Sequence, residues 1–311
     1  MTGPVVALAG GVGAARFLDG LARVMDPGRL CIVGNTADDT EMYGLHISPD
    51  LDTVAYTLAG LANPEHGWGL EGDTFHCLDA LRSLGADAWF QLGDRDFATH
   101  LYRTARLRAG ATLTQVTREL CASWGVRPAL LPMSDDPVRT RVKTRHGTLD
   151  FQTYFVRRGA RDTVLGIDFR GALQARPAPG LLQAIRNAAR VILCPSNPII
   201  SIGPILAVPG IREALRKSAA PVVAISPIVG GKALKGPAAR MMKSLGLRVS
   251  ATGVAELYRD FLHAMLLDRA DERLAPAIEK LGIRAVVTDT IMTGLARKKA
   301  LARAALGPLR P

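Results

Sequence analysis

The sequence predicts an α/β fold, with a Rossmann-like, mostly parallel sheet carrying helices on both faces and an inserted helical and β-hairpin region beside it. Three observations carry this expectation. Short, wholly apolar runs alternate with helical patterns toward both ends of the chain, as in sheets covered on both faces. A glycine-rich turn, Gly10-Gly11-Val12-Gly13, separates the first run from the first helical pattern. Polar, ligand-capable loops follow the apolar runs, at the strand C-terminal ends where doubly wound sheets place their sites.

Taken in order, Val5–Ala9 reads as the first strand, residues 14–24 as a helix with Phe17, Leu18, Leu21 and Val24 on its apolar face, and residues 30–33 as the second strand. A helix is expected to begin near Leu51. The later strands are expected at residues 191–194, 222–225 and 285–288. Helical stretches fall between and after them, at 181–189, 211–217, 237–245, 254–267 and 293–305. The middle of the chain differs. Residues 97–107 and 113–124 read as helices, and 139–157 as a β-hairpin turning at His146-Gly147, with Val142, Phe151 and Phe155 as apolar anchors. Residues 1–64 and 176–311 are therefore expected to form the α/β core, and residues 65–175 the inserted region.

Composition narrows the class. The chain has 311 residues, 48% hydrophobic and 22% charged, enough for a substantial globular core. Its net charge of +11 is compatible with nucleic acid, an anionic surface or a small polyanion. The excess is mostly scattered arginine, with one cluster at Arg297, Lys298, Lys299 and Arg303, and only 5% of residues are aromatic, so single-strand stacking platforms are not evident. Cys31, Cys77, Cys121 and Cys194 are widely spaced and are expected to be small buried hydrophobes in a reducing, cytoplasmic protein. The apolar start runs into glycines and reads as a core strand, and no stretch has transmembrane length.

The chemistry is expected in five segments. The Gly10, Gly11 and Gly13 turn offers backbone N–H groups and a helix N-terminus to an anion; a tight strand-to-helix turn is the plainer alternative. Asn35-Thr36-Ala37-Asp38-Asp39 and Ser48-Pro49-Asp50-Leu51-Asp52-Thr53 place four carboxylates within fifteen positions. One of them caps a helix in the conservative reading; four together suit a hard cation such as Mg²⁺ shared with substrate phosphates. Trp89-Phe90-Gln91-Leu92-Gly93-Asp94-Arg95-Asp96 reads either as a flat pocket wall with polar groups or as a strand-like segment leading to a helix cap. Pro132-Met133-Ser134-Asp135-Asp136 reads as a polar loop. Pro195-Ser196-Asn197-Pro198 and Ser226–Lys232 open at strand ends, with neutral donors and a lysine. The six histidines form no ligand-spaced set, and no nucleophile elbow or His-Glu-x-x-His helix occurs.

In this order, the glycine turn, Asn35–Asp39, Ser48–Thr53, Leu92–Asp96, Pro132–Asp136 and Pro195–Pro198 closely resemble the 2-phospho-L-lactate transferase family of coenzyme F-420 biosynthesis, and the similarity covers nearly the whole chain. The resemblance implies a Mg²⁺-dependent transferase. Such an enzyme moves a phospho-hydroxyacid moiety (phospholactyl, phosphoenolpyruvyl or phosphoglyceryl) from a guanylyl diphosphate-linked donor to the ribityl hydroxyl of the deazaflavin FO, releasing GMP. It further implies that Gly10, Gly11 and Gly13 bind donor phosphate. Metal would be held by Asp38, Asp39 and Asp50, and Asp50 or Asp52 would act as catalytic base. Asp52, Gln91, Trp89, Asp94, Asn35, Thr36, Ser196 and Asn197 would contact substrates, with region 65–175 contributing to the FO pocket. A homodimer is expected, with no nucleic-acid or membrane partner. A non-enzymatic nucleotide- or deazaflavin-binding protein is the alternative of a different class.

Overall fold

The computed structural model describes residues 3–308. The chain opens with β1 (Val5–Ala9), α1 (Gly11–Ala22) and β2 (Leu30–Gly34), followed by a small hairpin, β3 (Thr40–Met42) and β4 (Leu45–Ile47), and by α2 (Pro49–Ala59). Three helices follow: α3 (His76–Ser83), α4 (Asp94–Arg108) and α5 (Leu113–Ser123). Next come β5 (Ala129–Pro132) and the antiparallel strands β6 (Arg139–Thr144), β7 (Gly147–Asp150) and β8 (Val164–Arg170). The last part runs α6 (Leu181–Arg186), β9 (Arg190–Leu193), α7 (Gly203–Ala207), α8 (Ile211–Arg216), β10 (Val222–Ile225), β11 (Ile228–Val229), β12 (Lys232–Ala233), α9 (Ala238–Ser244) and α10 (Ala251–Leu257). It ends with β13 (Ala264–Asp268), α11 (Ala275–Glu279), β14 (Arg284–Thr288) and α12 (Leu295–Leu306).

Seven strands form one parallel sheet in the order β14-β13-β10-β9-β1-β2-β5. Alternate residues of each strand enter different cores. Val6, Leu8, Val33, Val191, Leu193 and Val222 face one layer with α6, α7, α8 and α10. Val5, Ala7, Ile32, Ile192 and Val223 face the other, against Phe17 and Leu18 of α1, Val54 of α2 and Leu301 of α12. Such two-sided burial explains why the strands read as unbroken apolar runs. The α/β expectation is met.

Order reverses at β1, whose neighbours are β2 and β9. In a sheet of this kind the reversal leaves a crevice beyond the strand C-termini, since the connections on either side depart to opposite faces.

Four expectations are corrected. The segment 65–175 is not separate from the sheet, because β5 lies within it and pairs in parallel with β2. The hairpin is β6–β7, but its second strand stops at Asp150, and β8 completes a three-stranded sheet. Phe151 starts a helical stretch that continues as a π-helical turn, Thr153–Arg157, so Phe151 and Phe155 stack on each other 5.4 Å apart along a turn. The helix expected over 254–267 ends at Leu257, and Ala264–Asp268 is a strand instead; a fully buried apolar run fits either element by periodicity alone. Finally, Cys31, Cys121 and Cys194 are buried, but Cys77 is exposed on α3.

Candidate functional site

A cavity of about 850 Å³ extends over the C-terminal ends of β1, β9, β10 and β14. The glycine turn lies at its centre. Gly10 is held to the loop after β9 by a reciprocal pair: its N–H donates to Ser196 Oγ at 3.2 Å, and that hydroxyl donates back to the Gly10 carbonyl at 2.9 Å. A Cβ on Gly10 would lie 2.7 Å from both Asp50 Oδ2 and Ser201 Cβ; one on Gly13 would lie 2.4 Å from the Pro195 carbonyl oxygen. The turn must be glycine because two other loops occupy the space a side chain would need.

Beside the turn lies the acidic cluster. Asn35, fully buried at the end of β2, organises it: Nδ2 donates to Asp50 Oδ2 at 2.9 Å and to the Ile200 carbonyl at 3.3 Å, while Oδ1 accepts the Ala37 N–H at 3.0 Å. Asp50 therefore serves α1 rather than its own helix. Burial pushes its carboxyl up to about 6, with Asn35 and the Gly11 N–H holding it down and the charge of Asp39 raising it. Asp38 is raised well above the usual carboxylate range, first by burial and then by the charge of Asp50, against hydrogen bonding from Thr140 and Asn35. Its loop is fixed from β6 and the helical stretch beyond β7: Thr140 N–H donates to the Ala37 carbonyl at 2.7 Å, and Gln152 Nε2 to the Asp38 carbonyl at 3.0 Å. Asp38 Oδ1 is buried without a hydrogen-bond partner.

Asp39 departs from the expected cluster. It accepts Ser48 Oγ at 2.8 Å and faces His46 Nε2 at 3.0 Å, and it does not line the cavity. No group of three or more His, Cys, Asp or Glu is arranged to hold a metal ion among the described residues. The donor set that fits Mg²⁺ is thus smaller: Asp38 and Asp50, both lining the cavity, one with an unpartnered oxygen. Two carboxylates completed by substrate phosphate and water are an ordinary Mg²⁺ arrangement.

Asp52, two positions beyond Asp50 in the first turn of α2, meets a buried polar face of α4. Its Oδ1 accepts from Arg103 Nη2, and its Oδ2 is unpartnered, 3.8 Å from His100 Nδ1. Burial raises the Asp52 carboxyl, opposed by Arg103 and His100. Arg103, 2% exposed, also lies 3.0 Å from His100 Nδ1, and Tyr56 donates to Asp96 at 2.7 Å. His100 Nε2 lies 3.3 Å from Asp96 Oδ1.

Trp89, Phe90 and Leu92 line the cavity, as do Phe151, Phe155 and Val156. Trp89 and Phe90 are edge-on, 5.6 Å apart, and Arg157 covers the Trp89 ring at 5.6 Å. Residues 84–93 contain no strand. Gln91 lines the cavity and is exposed.

Of the other expected contacts, Ser196 and Asn197 line the cavity, but Asn197 Oδ1 accepts the N–H groups of Ile199 and Ile200 and caps a π-helical turn. Asn35 and Thr36 lie behind the cavity wall. Asp94 lies outside it; its carboxylate accepts Thr74 Oγ1 at 2.5 Å and the Cys77 N–H at 2.9 Å, capping α3. Asp96 takes the place in the lining. Sequence reasoning missed Tyr56, His100 and Arg103; the available signal was polar residues at helical core spacing (Asp96, Thr99, His100, Arg103) in an otherwise ordinary helix.

Comparison with known proteins agrees with this geometry. The family model described as 2-phospho-L-lactate transferase CofD matches residues 5–303. A phosphoenolpyruvate transferase from Kitasatospora aureofaciens is 45% identical, over 97% of this chain and 96% of its own length. A 2-phospho-L-lactate transferase from Methanosarcina acetivorans is 41% identical, over 97% of this chain and 98% of its own. Among solved structures, a member of the UPF0052 family from Bacillus halodurans shares the fold at a TM-score of 0.66 and 16% identity, covering 99% of this chain and 100% of its own.

Proposed function

The chain belongs to the 2-phospho-L-lactate transferase CofD family, and from that membership we propose that it transfers a phospho-hydroxyacid group from a guanylyl diphosphate-linked donor to the ribityl hydroxyl of FO in coenzyme F-420 biosynthesis, releasing GMP. The family makes it a phosphorus-group transferase, which sets aside the non-enzymatic alternative. The single observation that supports the finer reading is the continuity of one cavity. It is lined by the glycine turn, by the buried carboxylates and by aromatic side chains. A diphosphate, its counter-ion and a tricyclic ring with a polyol tail need those three environments.

In this reading the donor diphosphate lies along the Gly10–Gly13 turn, whose backbone the Ser196 hydroxyl holds in place. Mg²⁺ would be held by Asp38 and Asp50, and when bound it would neutralise phosphate charge. The deazaflavin ring lies between Trp89 and Phe155, leading its ribityl chain to Asp52. Asp52 Oδ2 receives the proton of the attacking hydroxyl, while Arg103 occupies Oδ1 and fixes the carboxylate's orientation. The hydroxyl oxygen forms a bond to the phosphorus that carries the hydroxyacid in ester linkage, the bond from that phosphorus to the bridging oxygen breaks, and GMP leaves with the electron pair. We assign the proton to Asp52 rather than Asp50 because Asp50 already serves Asn35, Gly11 and the metal position. A cytoplasmic homodimer completes the proposal.

The test is incubation of the protein with FO, Mg²⁺ and each of the three donors, with products read by mass spectrometry. Transfer from at least one donor supports the reading; GMP release without a modified FO would contradict the assignment of the acceptor.

A further inference from the structure

Among the described residues, Arg16 and Lys235 line the cavity without a carboxylate partner. Arg16 projects from the second turn of α1, and Lys235 from the loop between β12 and α9. Neither is in an ion pair among the described residues, whereas Arg103 pairs with Asp52, Arg157 with Asp87 and Arg212 with Asp260. The one hydrogen bond of Lys235 is from Nζ to the neutral His66 carbonyl, at 3.4 Å. That contact joins the 230–237 loop to the 63–69 loop, where His66 stacks on Trp68 at 5.4 Å and a Cβ on Gly67 would be 2.6 Å from Val12 of α1. The 63–69 loop therefore touches both α1, one turn before Arg16, and the loop that carries Lys235. Burial, and then repulsion by Arg16, lower the Lys235 amine.

Two like charges facing one cavity repel each other, and an anion bound between them relieves that repulsion with charge-assisted hydrogen bonds. Among the described residues no carboxylate pairs with either cation: Asp50 bonds with Asn35, Asp52 with Arg103 and Asp96 with Tyr56, while Asp38 Oδ1 has no hydrogen-bond partner. We infer that Arg16 and Lys235 form a two-cation subsite for an oxyanion of the donor, one phosphate or carboxylate group gripped by the guanidinium fork and the ammonium. The inference rests on the proposed function for the identity of the donor, and the cation pair itself for the presence of an anion site. The donor's charge is then divided between two places: Asp38 and Asp50, through a divalent ion, meet one anionic centre, and Arg16 with Lys235 meets the other.

The experiment is isothermal titration of the full-length protein and of R16Q, K235Q and the double variant with GDP, GMP, phosphoenolpyruvate and FO as separate probes. Arg16 and Lys235 are not packed in either core, so the variants fold. In the double variant, a loss of GDP affinity of about tenfold or more, with FO affinity retained, identifies a phosphate oxygen as the occupant. Retained GDP and GMP affinity with weakened phosphoenolpyruvate identifies the carboxylate. Unchanged affinity for all three anions overturns the inference, and so does equal weakening of FO and the anions. Transfer by the wild type is measured in parallel. If the wild type fails to modify FO while anion binding still depends on Arg16 and Lys235, the proposed reaction falls and the subsite stands.

Discussion

Arg103 and Asp52, fifty-one positions apart, form a buried ion pair that joins α4 to the first turn of α2 at the cavity wall. The pair occupies Oδ1 of the carboxylate and leaves Oδ2 without a hydrogen-bond partner, so the geometry of the proposed proton acceptor is set from α4, which also brings His100 to 3.8 Å from Oδ2.

Replacing Arg103 with Met strands a buried charge, and a cost of about 3–5 kcal/mol in urea unfolding is expected. In the double variant D52N/R103M much of that cost is recovered, because no charge is left unpaired. Equal costs for the single and double variants would show that Arg103 acts by packing alone.

The acidic cluster makes stability depend on pH with an unusual sign. Asp50 has a folded pKa of about 6, above its unfolded value of 3.8, so between those values the folded state binds more protons. Stability therefore rises as pH falls from 7 toward 5, and the charged carboxylate costs on the order of 2–3 kcal/mol at neutral pH. Thermal unfolding of wild type and D50N should show this slope in the first and a flatter profile in the second. Mg²⁺ should raise the wild-type Tm more at pH 7 than at pH 5; no Mg²⁺ effect at either pH would remove Asp38 and Asp50 as its ligands.

Gly10→Ala tests the crowding at the turn. The added Cβ meets Asp50 Oδ2 and Ser201 Cβ at 2.7 Å, so Asp50 must move. A loss of turnover of about a hundredfold is expected, on the scale of a 1 Å misplacement, with the fold retained by circular dichroism. Turnover within a few-fold of wild type would show that the turn has room to spare.

The aromatic lining predicts a selective effect. Phe155→Ala and Trp89→Ala should each weaken FO by roughly 1–3 kcal/mol, as loss of one stacking face does, while leaving GDP binding unchanged in the same titration. Loss of GDP affinity instead would place the nucleotide, not the deazaflavin, between these rings.

The sheet was legible because its strands are short and apolar on both faces, and the strand-end loops then located Gly10, Asp38, Asp50 and Ser196 at one edge. Local pattern failed where burial makes two elements look alike. Ala264–Asp268 has the composition of a helix continuing from α10, and only pairing with β10 and β14 makes it a strand. Phe151 and Phe155 suit a strand face as well as a helical turn. The choice between Asp94 and Asp96 was not available from composition either: two positions on one helix turn send one carboxylate to cap α3 and the other to Tyr56. Arg103 stood at a core position of its helix, but its pairing with Asp52 was not legible, since the partner lies on another helix and nothing local in the sequence joins them.

The central claim is that Asp52 takes the proton of the acceptor hydroxyl while Asp38 and Asp50 hold the metal. The most direct measurement is single-turnover transfer to FO by D52N and D38N over a range of Mg²⁺ concentration. The account predicts that D52N binds FO within a few-fold of wild type and is slowed by about a hundredfold or more at every Mg²⁺ concentration, whereas D38N recovers part of its rate as Mg²⁺ rises. Wild-type rates in D52N, or a D52N defect that Mg²⁺ repairs, would contradict it.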